Sequence, residues 1–246
     1  MATYRDEAVV LRTHKLGEAD RIITLLSRRH GMVRAAARGV RRTSSKFGAR
    51  LEPFSYVDIQ LATGRSLDIV TQVESLAAFG DRLASDFPRY AAGQVMLETA
   101  DRLVVEEHQP ALQQFLLLVG ALRVLNDGTS DGPRDNATIL DSFLLRSLAA
   151  AGYAPTFTDC AKCAAEGPHR AFSPGAGGMV CRVCRPPGSA QPRTQTVTYL
   201  AALLTGNWPA TRDTPPEIIC EGSGLTAAFV TWQLERGLRS LAHLER

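Results

Sequence analysis

Apolar residues alternate with polar ones, or form short β-branched runs, through the first 80 positions of this 246-residue chain. Both patterns are typical of β-strands, and turn residues separate one run from the next. The five runs are residues 8–11, 22–26, 32–35, 57–61 and 67–73. Five short strands with one longer excursion, residues 38–53, predict a small barrel of the OB type in residues 1–80.

From about residue 86 the spacing of the apolar positions becomes helical. One stripe runs from Tyr90 to Val104, and a second helix is predicted after Pro110, with residues 115–125 apolar on nearly every side. Three later helices are predicted, one capped by Asp135 or Asn136 and ended by Gly152, one over residues 197–204 closed by Gly206, and one from about Leu225 to Leu241. Residues 81–246 are therefore predicted to form a helical domain, which makes the fold a multi-domain α+β class.

Two cysteine doublets interrupt the helical region, Cys160-Ala161-Lys162-Cys163 and Cys181-Arg182-Val183-Cys184. Each C-x2-C spacing brings two sulfur atoms to one side of a tight turn, and the 17 residues between the doublets let the second turn fold back on the first. Four thiolates complete a tetrahedron and leave no position for a catalytic water. We therefore expect one structural Zn²⁺ in residues 156–188, a segment inserted in the helical domain.

Other interpretations fit less of the cysteine pattern. Two disulfides would require an oxidising compartment, a redox C-x2-C motif normally occurs once in a βαβ setting, and iron is an alternative metal for four sulfurs. His169 lies between the doublets and is either a further ligand or a surface residue of a Gly/Pro-rich loop, although four cysteines already suffice. Cys220 stands alone after two isoleucines and is interpreted as a small buried residue.

Positive charge is concentrated at the start of the chain. Residues 1–50 carry 12 Lys and Arg against four Asp and Glu, a balance of +8, whereas the other 196 residues carry 16 basic and 21 acidic side chains, a balance of −5. A segregated basic region suits a polyanion, because neutralised phosphates release counterions and that release drives association. The alternative is a basic face that is simply solvated.

The excursion between the third and fourth predicted strands is the most basic part of this region. Residues 38–50 contain five cations and no acid, and arginine combines bidentate phosphate contacts with stacking on bases. We expect nucleic acid to bind here, through Arg12, Lys15, Arg21, Arg34, Arg38, Arg41, Arg42, Lys46 and Arg50. Three aromatic residues, Phe47, Phe54 and Tyr56, either stack on bases or pack in the barrel.

The sequence lacks the common motifs of catalysis. It has no G-x-x-x-x-G-K-[ST] phosphate loop, no H-E-x-x-H motif and no nucleophile with a recognisable partner. The longest apolar run, residues 115–122, is too short to span a bilayer, and the N-terminus carries no apolar signal segment. We therefore expect a cytoplasmic protein with reduced thiols that is not an enzyme and has no membrane partner.

Several short segments form a specific pattern through their order and spacing. Four of them lie near the start of the chain, at residues 7–12, 17–25, 37–42 and 51–54. Ala151-Gly152-Tyr153-Ala154-Pro155 leads into the first cysteine doublet, and Phe172-Ser173-Pro174 leads into the second. Each segment is a weak pattern by itself, but their combination along nearly the whole chain resembles the RecO family of bacterial DNA-repair proteins.

The resemblance implies an N-terminal OB domain, a helical domain and a zinc-binding segment, without catalysis. Members of the family bind single- and double-stranded DNA, anneal complementary strands, act with RecR, and help RecA replace the single-strand-binding protein SSB on gapped DNA. The family's contact with the acidic, apolar C-terminal tail of SSB is placed on the helical domain, and no motif marks its position here. Such a protein would be nucleoid-associated when bound to DNA.

A different function remains open beside this one. The chain would then be a non-catalytic protein-interaction or scaffold module whose basic lobe docks an acidic partner, with the barrel as a platform only.

Overall fold

A computed structural model describes residues 2–129, 132, 134–234, 238, 240 and 241 of the chain. The fold consists of two compact units, Met1–Asp127 and Gly128–Arg246. Within the described residues, the first unit holds a five-stranded barrel and three α-helices, and the second holds three α-helices and a two-stranded hairpin. The first three helices therefore belong to the same compact unit as the barrel.

The barrel has the strand connectivity of an OB fold. Its strands are β1 (Thr3–Leu16), β2 (Asp20–Ser27), β3 (Gly31–Ala37), β4 (Ser55–Ala62) and β5 (Asp68–Ala78). Neighbours follow the order β1-β2-β3-β5-β4, and β1 closes the sheet by pairing with β4. Only the β3–β5 pair is parallel among these strands. All five predicted strands are confirmed, and β1 is longer than its apolar run because it bends at a bulge between Val10 and Arg12 and pairs on both sides.

Inward-facing residues of every strand form the barrel core, and the connection between β3 and β4 adds to it. This connection contains a short 3₁₀ helix, Gly48–Leu51. Phe47, just before the helix, and Leu51, its last residue, both pack in the barrel core. The exposed fractions of Phe47, Phe54 and Tyr56 are 3%, 2% and 8%. All three aromatic residues therefore pack in the protein, which is the second of the two uses expected for them.

The helices of the first unit are α1 (Phe79–Leu83), α2 (Phe87–Leu103) and α3 (Leu112–Asp127). The carboxylate of Asp86 caps α2 by accepting a hydrogen bond from the backbone N–H of Arg89. Helix α3 buries Phe115 and Leu118, but Leu116 is 52% exposed, so this apolar helix is buried on one side only. Helix α1 was not predicted, because five residues are too few to show a helical period.

The second unit contains α4 (Asn136–Ala150), α5 (Thr194–Thr205) and α6 (Pro216–Gln233). Asp135 is the N-cap of α4, as predicted. Helix α6 begins nine residues before the expected start at Leu225 and ends before Leu238 and Leu241. Cys220 lies on α6 and is exposed, so its expected burial is wrong: it is two positions from buried Ile218, about 200° around the helix.

Buried polar side chains join these three helices. The hydroxyls of Thr138 on α4 and Tyr199 on α5 share a hydrogen bond of 2.9 Å, and the hydroxyl of Ser223 on α6 donates to the Asp141 carboxylate on α4. Such pairs favour one register of the helices, because any slip would leave a buried polar group without its partner. None of the helices in the described part of the chain combines the length and the hydrophobicity that a membrane span requires.

Candidate functional site

The four predicted metal ligands come together in the second unit. The sulfur atoms of Cys160, Cys163, Cys181 and Cys184 all lie within 4.8 Å of one another, and those of Cys163 and Cys181 are 3.9 Å apart. Tetrahedral zinc with Zn–S bonds of about 2.3 Å requires sulfur atoms about 3.8 Å apart. The cluster therefore fits a four-thiolate zinc ion, with Zn²⁺ the expected metal on the chemistry of the donors.

Backbone hydrogen bonds shape the two cysteine turns. At the first, the N–H of Ala164 donates to the carbonyl of Cys160 at 2.8 Å, and the N–H of Cys160 donates to the carbonyl of Ala165 at 2.9 Å. Ala164 adopts a left-handed conformation with φ of 55°, which turns the chain away after the doublet. At the second, the N–H groups of Cys181 and Cys184 point at the sulfur atoms of Cys160 and Cys181, both at 3.4 Å.

These donors favour charge on the sulfur cluster. The backbone N–H of Cys181, more than any other group, lowers the pKa of the Cys160 thiol to about 6. Hydrogen bonds with the sulfurs of Cys163 and then Cys181 raise the pKa of Cys184 to about 12, because a thiol that donates a hydrogen bond holds its proton more tightly. Metal binding needs all four thiolates and would displace that proton.

A small hairpin between the doublets fastens the cluster to α6. It consists of β6 (Ala171–Ser173) and β7 (Gly178–Val180), and the N–H of Ala161 donates to the carbonyl of Met179 at 2.8 Å. The ring of Phe172 packs against Phe157 and, on α6, Phe229, at centroid distances of 6.2 and 6.3 Å. The two cysteine turns and the helical core are thus joined through one apolar contact.

His169 does not join the cluster. Its Nε2 lies 2.9 Å from the carbonyl oxygen of Ala165, so the imidazole bonds the backbone of its own loop. The only close group of three or more potential metal ligands found within the described residues is the set of four cysteines.

The nine cations predicted to contact nucleic acid fall into two groups, those that form an ion pair with a carboxylate and those that do not. Three of them are bonded to carboxylates at N–O distances of 3.0, 2.5 and 2.5 Å: Arg12 with Asp101, Arg21 with Glu52, and Arg34 with Glu107. Their charges are already balanced by acidic groups that are distant in sequence. These carboxylates lie beyond residue 50, so the excess of +8 counted along the sequence overstates the field at these three positions.

The other six cations have no carboxylate partner among the described residues, and all six are exposed. We call them the open cation set: Lys15, Arg38, Arg41, Arg42, Lys46 and Arg50. Three of these side chains are held by backbone carbonyls, Arg41 by Glu18 at 2.7 Å, Lys46 by Thr71 at 3.0 Å and Arg50 by Lys46 at 3.0 Å. Carbonyl contacts orient a cation without neutralising it, so the positive charge stays available.

The β1–β2 turn is bonded to the β3–β4 connection, which carries five members of the open cation set. The backbone N–H of Gly39 donates to the Asp20 carboxylate at 2.7 Å, and that of Arg41 donates to the carbonyl of Ala19 at 3.0 Å. Lys15, near the end of β1, pairs with Arg21 on β2, which pairs with Ala37 on β3. It therefore lies in the same row as the start of the loop carrying Arg38, Arg41 and Arg42. Glu18 is exposed on this turn, three residues after Lys15.

Arg65 is an exposed cation that lies outside the residues 1–50 covered by the charge count. Arg65 lies in the connection between β4 and β5 and has no ion pair within the described parts of the chain. In the sequence it lies in the short stretch between the fourth and fifth predicted strands, where a single arginine does not stand out as a basic run.

Comparison of the sequence with known proteins identifies the family of this chain. The family model "Recombination protein O N terminal" matches residues 1–79, and "Recombination protein O C terminal" matches residues 84–242. The chain is 58% identical over 246 residues to "DNA repair protein RecO" of Cutibacterium acnes, with all of both chains covered. It is 58% identical to the protein of that name from Nocardioides sp., with 99% of both chains covered, and 56% identical to the one from Streptomyces coelicolor, with 100% of both covered. With a closed barrel, a helical unit and four clustered cysteines along the matched length, the chain belongs to the RecO family of DNA repair proteins.

Proposed function

We propose that the chain is a non-catalytic mediator of DNA repair and recombination. It binds single- and double-stranded DNA, anneals complementary strands and, with RecR, promotes the loading of RecA onto SSB-coated single-stranded DNA. The observation that carries the proposal is the open cation set: six exposed cations of an OB barrel and its β3–β4 connection, without a carboxylate partner among the described residues.

A cationic surface supplies the physical basis for annealing. Two single strands repel each other through their phosphates, and cations that contact those phosphates reduce the repulsion and release counterions. Contacts to phosphate leave the base edges free to pair, since they carry no sequence information. Exchange of SSB would be driven by binding energy alone, because the sequence has no phosphate loop for a nucleotide.

The remaining parts have supporting roles in this proposal. Residues 1–80 form the nucleic-acid-binding domain and residues 81–246 the helical domain, which also receives the C-terminal tail of SSB. One Zn²⁺ on Cys160, Cys163, Cys181 and Cys184 braces the segment 156–188 without touching DNA. The protein works in the cytoplasm and is nucleoid-associated when bound to DNA.

Salt dependence tests the proposed contacts with phosphate. If the six open cations each neutralise one phosphate of single-stranded DNA, log K should fall with log[salt] with a slope of about −4. Filter binding with homopolymer DNA over a range of salt concentrations measures this slope. An affinity that barely responds to salt would refute the proposal.

The division between open and paired cations gives a matched comparison. Changing Lys15, Arg38 and Arg42 to alanine should weaken single-stranded DNA binding by roughly tenfold or more, because three uncompensated charges are lost. Changing Arg12, Arg21 and Arg34 to alanine alters the net charge equally, but should cost about threefold at most, because those charges are balanced by carboxylates. Fluorescence anisotropy measures the affinity of both triple variants. Equal losses of affinity would show that pairing with a carboxylate does not decide which cations contact DNA.

The rival function, docking of an acidic protein partner, uses the same surface. Binding of homopolymer DNA at low ionic strength, followed by faster annealing of complementary oligonucleotides, supports the DNA mediator. A folded chain that ignores both homopolymer and duplex DNA would favour the scaffold module.

A further inference from the structure

A groove of about 610 Å³ opens beside the basic connection of the first unit. One wall is residues 45–50 and 52–55, and the other is formed by the end of β5, by α1 and by the first turn of α2. Lys46 and Arg50 of the open cation set both line it, together with Asp81 and Tyr90. The groove therefore continues the surface that the proposed function assigns to phosphates.

Tyr90 offers this groove a positioned aromatic ring. Its centroid is 5.4 Å from that of Phe54, its hydroxyl accepts a hydrogen bond from Nε2 of Gln94 at 2.9 Å, and the residue is 37% exposed. Phe54 lies close against Gly93, where a Cβ would come within 2.7 Å of its ring. A ring that is fixed on one side and open on another is a ready stacking surface, since little entropy is lost when a ligand binds it.

The charges along the groove combine both signs. Lys46 and Arg50 suit phosphate, whereas the carboxylate of Asp81 accepts hydrogen bonds and suits the N–H donors that every unpaired base has on its edge, the ring N–H of thymine included. Hydroxyls of Ser45, Ser55 and Ser75 add donors and acceptors. Charge does not separate an acidic peptide from DNA here, because both are anionic. The exposed ring of Tyr90 together with a carboxylate that can accept from a base edge favours a nucleotide.

We propose that the groove is a subsite for one unpaired nucleobase, which stacks on Tyr90 while the flanking phosphates contact Lys46 and Arg50. This inference rests on the proposed function and deepens it, because a base in a duplex is stacked and paired and cannot enter. The barrel's cations hold either form of DNA, and the Tyr90 groove adds affinity for the single strand.

Substitution of Tyr90 separates the two contributions. In the full chain, Tyr90→Ala should lower the affinity for an oligo(dT) of about 20 nucleotides by about tenfold, the usual effect of losing one stacked base. The affinity for a duplex of equal length should change by less than about twofold, and the salt slope should stay the same, since no phosphate contact is lost. Tyr90→Phe keeps the ring and should bind like the natural protein.

Phe87 provides the matched control. It is an aromatic residue on the same helix, 66% exposed, and it does not line the groove. Phe87→Ala should leave the affinity for both DNA forms unchanged. The proposal would be overturned if Tyr90→Ala lowered the affinities for single-stranded and duplex DNA equally, or lowered neither.

Photocrosslinking tests the same contact in the unmodified protein. An oligo(dT) with 5-iodouracil at one position should crosslink to Tyr90 under near-ultraviolet light, as peptide mass spectrometry would show. Crosslinks confined to other residues would contradict the subsite, even if Tyr90→Ala failed to fold.

Two further outcomes keep this inference distinct from the proposed function. If the natural protein binds neither DNA form, the proposed function fails as a whole; if it binds both with equal dependence on the open cation set and none on Tyr90, only the subsite fails. If an acidic peptide with a terminal aromatic residue binds in a Tyr90-dependent manner and oligo(dT) does not compete, the groove is a peptide site and the proposal is wrong.

Discussion

Replacing Arg38, Arg41, Arg42 and Lys46 together with alanine should weaken single-stranded DNA binding on the order of 100-fold at low salt. These four residues are two thirds of the open cation set, and no carboxylate balances any of them within the described residues. The loss should be the same for every DNA sequence, because phosphate contacts carry no sequence information. Fluorescence anisotropy with two oligonucleotides of different composition measures both points.

A second quadruple variant controls for the change in net charge. Arg5, Arg28, Arg82 and Arg89 are exposed residues of the same compact unit, and each is already paired with a carboxylate. Changing these four to alanine also removes four positive charges but should lower DNA affinity only severalfold. A loss that depends on sequence in the first variant would indicate base readout instead of phosphate binding.

Removing the metal should unfold the cysteine segment and destabilise the second unit. Structural zinc contributes its binding energy directly to folding, and the segment is fastened to α6 through Phe172 and Phe229. Chelation, or Cys160→Ser, should therefore lower the melting temperature of this unit by roughly 10 °C or more. Metal analysis of the natural protein should give one zinc per chain, and calorimetry follows the transition.

The exposed thiol on α6 is the control for that experiment. Cys220→Ser removes a thiol outside the sulfur cluster and should leave the melting temperature unchanged. DNA affinity should survive Cys160→Ser within about threefold, because the open cation set lies in the other unit. Loss of all DNA binding in a still-folded Cys160→Ser protein would mean that the metal segment, and not the barrel, holds the DNA.

Local patterns were sufficient to predict the strands and most of the helices. The alternating apolar runs predicted the barrel because one face of each strand lies in its core. Gly206 ends α5 as expected, because it adopts a left-handed conformation with φ of 72°. Helix α6 was placed too late because its apolar residues at 218–220 form one consecutive run, followed by Gly222 and Gly224, and so show no helical spacing.

The sequence did not predict ion pairs between residues that are far apart along the chain. Nothing near Arg34 in sequence indicates that Glu107 will neutralise it, because that pair forms only once the helices close on the barrel. Charge counting therefore found the basic region but could not separate paired from open cations. The cysteines were easier to interpret because the C-x2-C spacing itself fixes the geometry of each turn.

The central claim is that the open cation set binds DNA phosphates, and the salt slopes of two proteins test it most directly. Filter binding to homopolymer single-stranded DNA should give the natural chain a slope of about −4, and the variant lacking Arg38, Arg41, Arg42 and Lys46 a slope shallower by about 3. Identical slopes for the two proteins, or no binding by the folded natural chain at low ionic strength, would contradict the account.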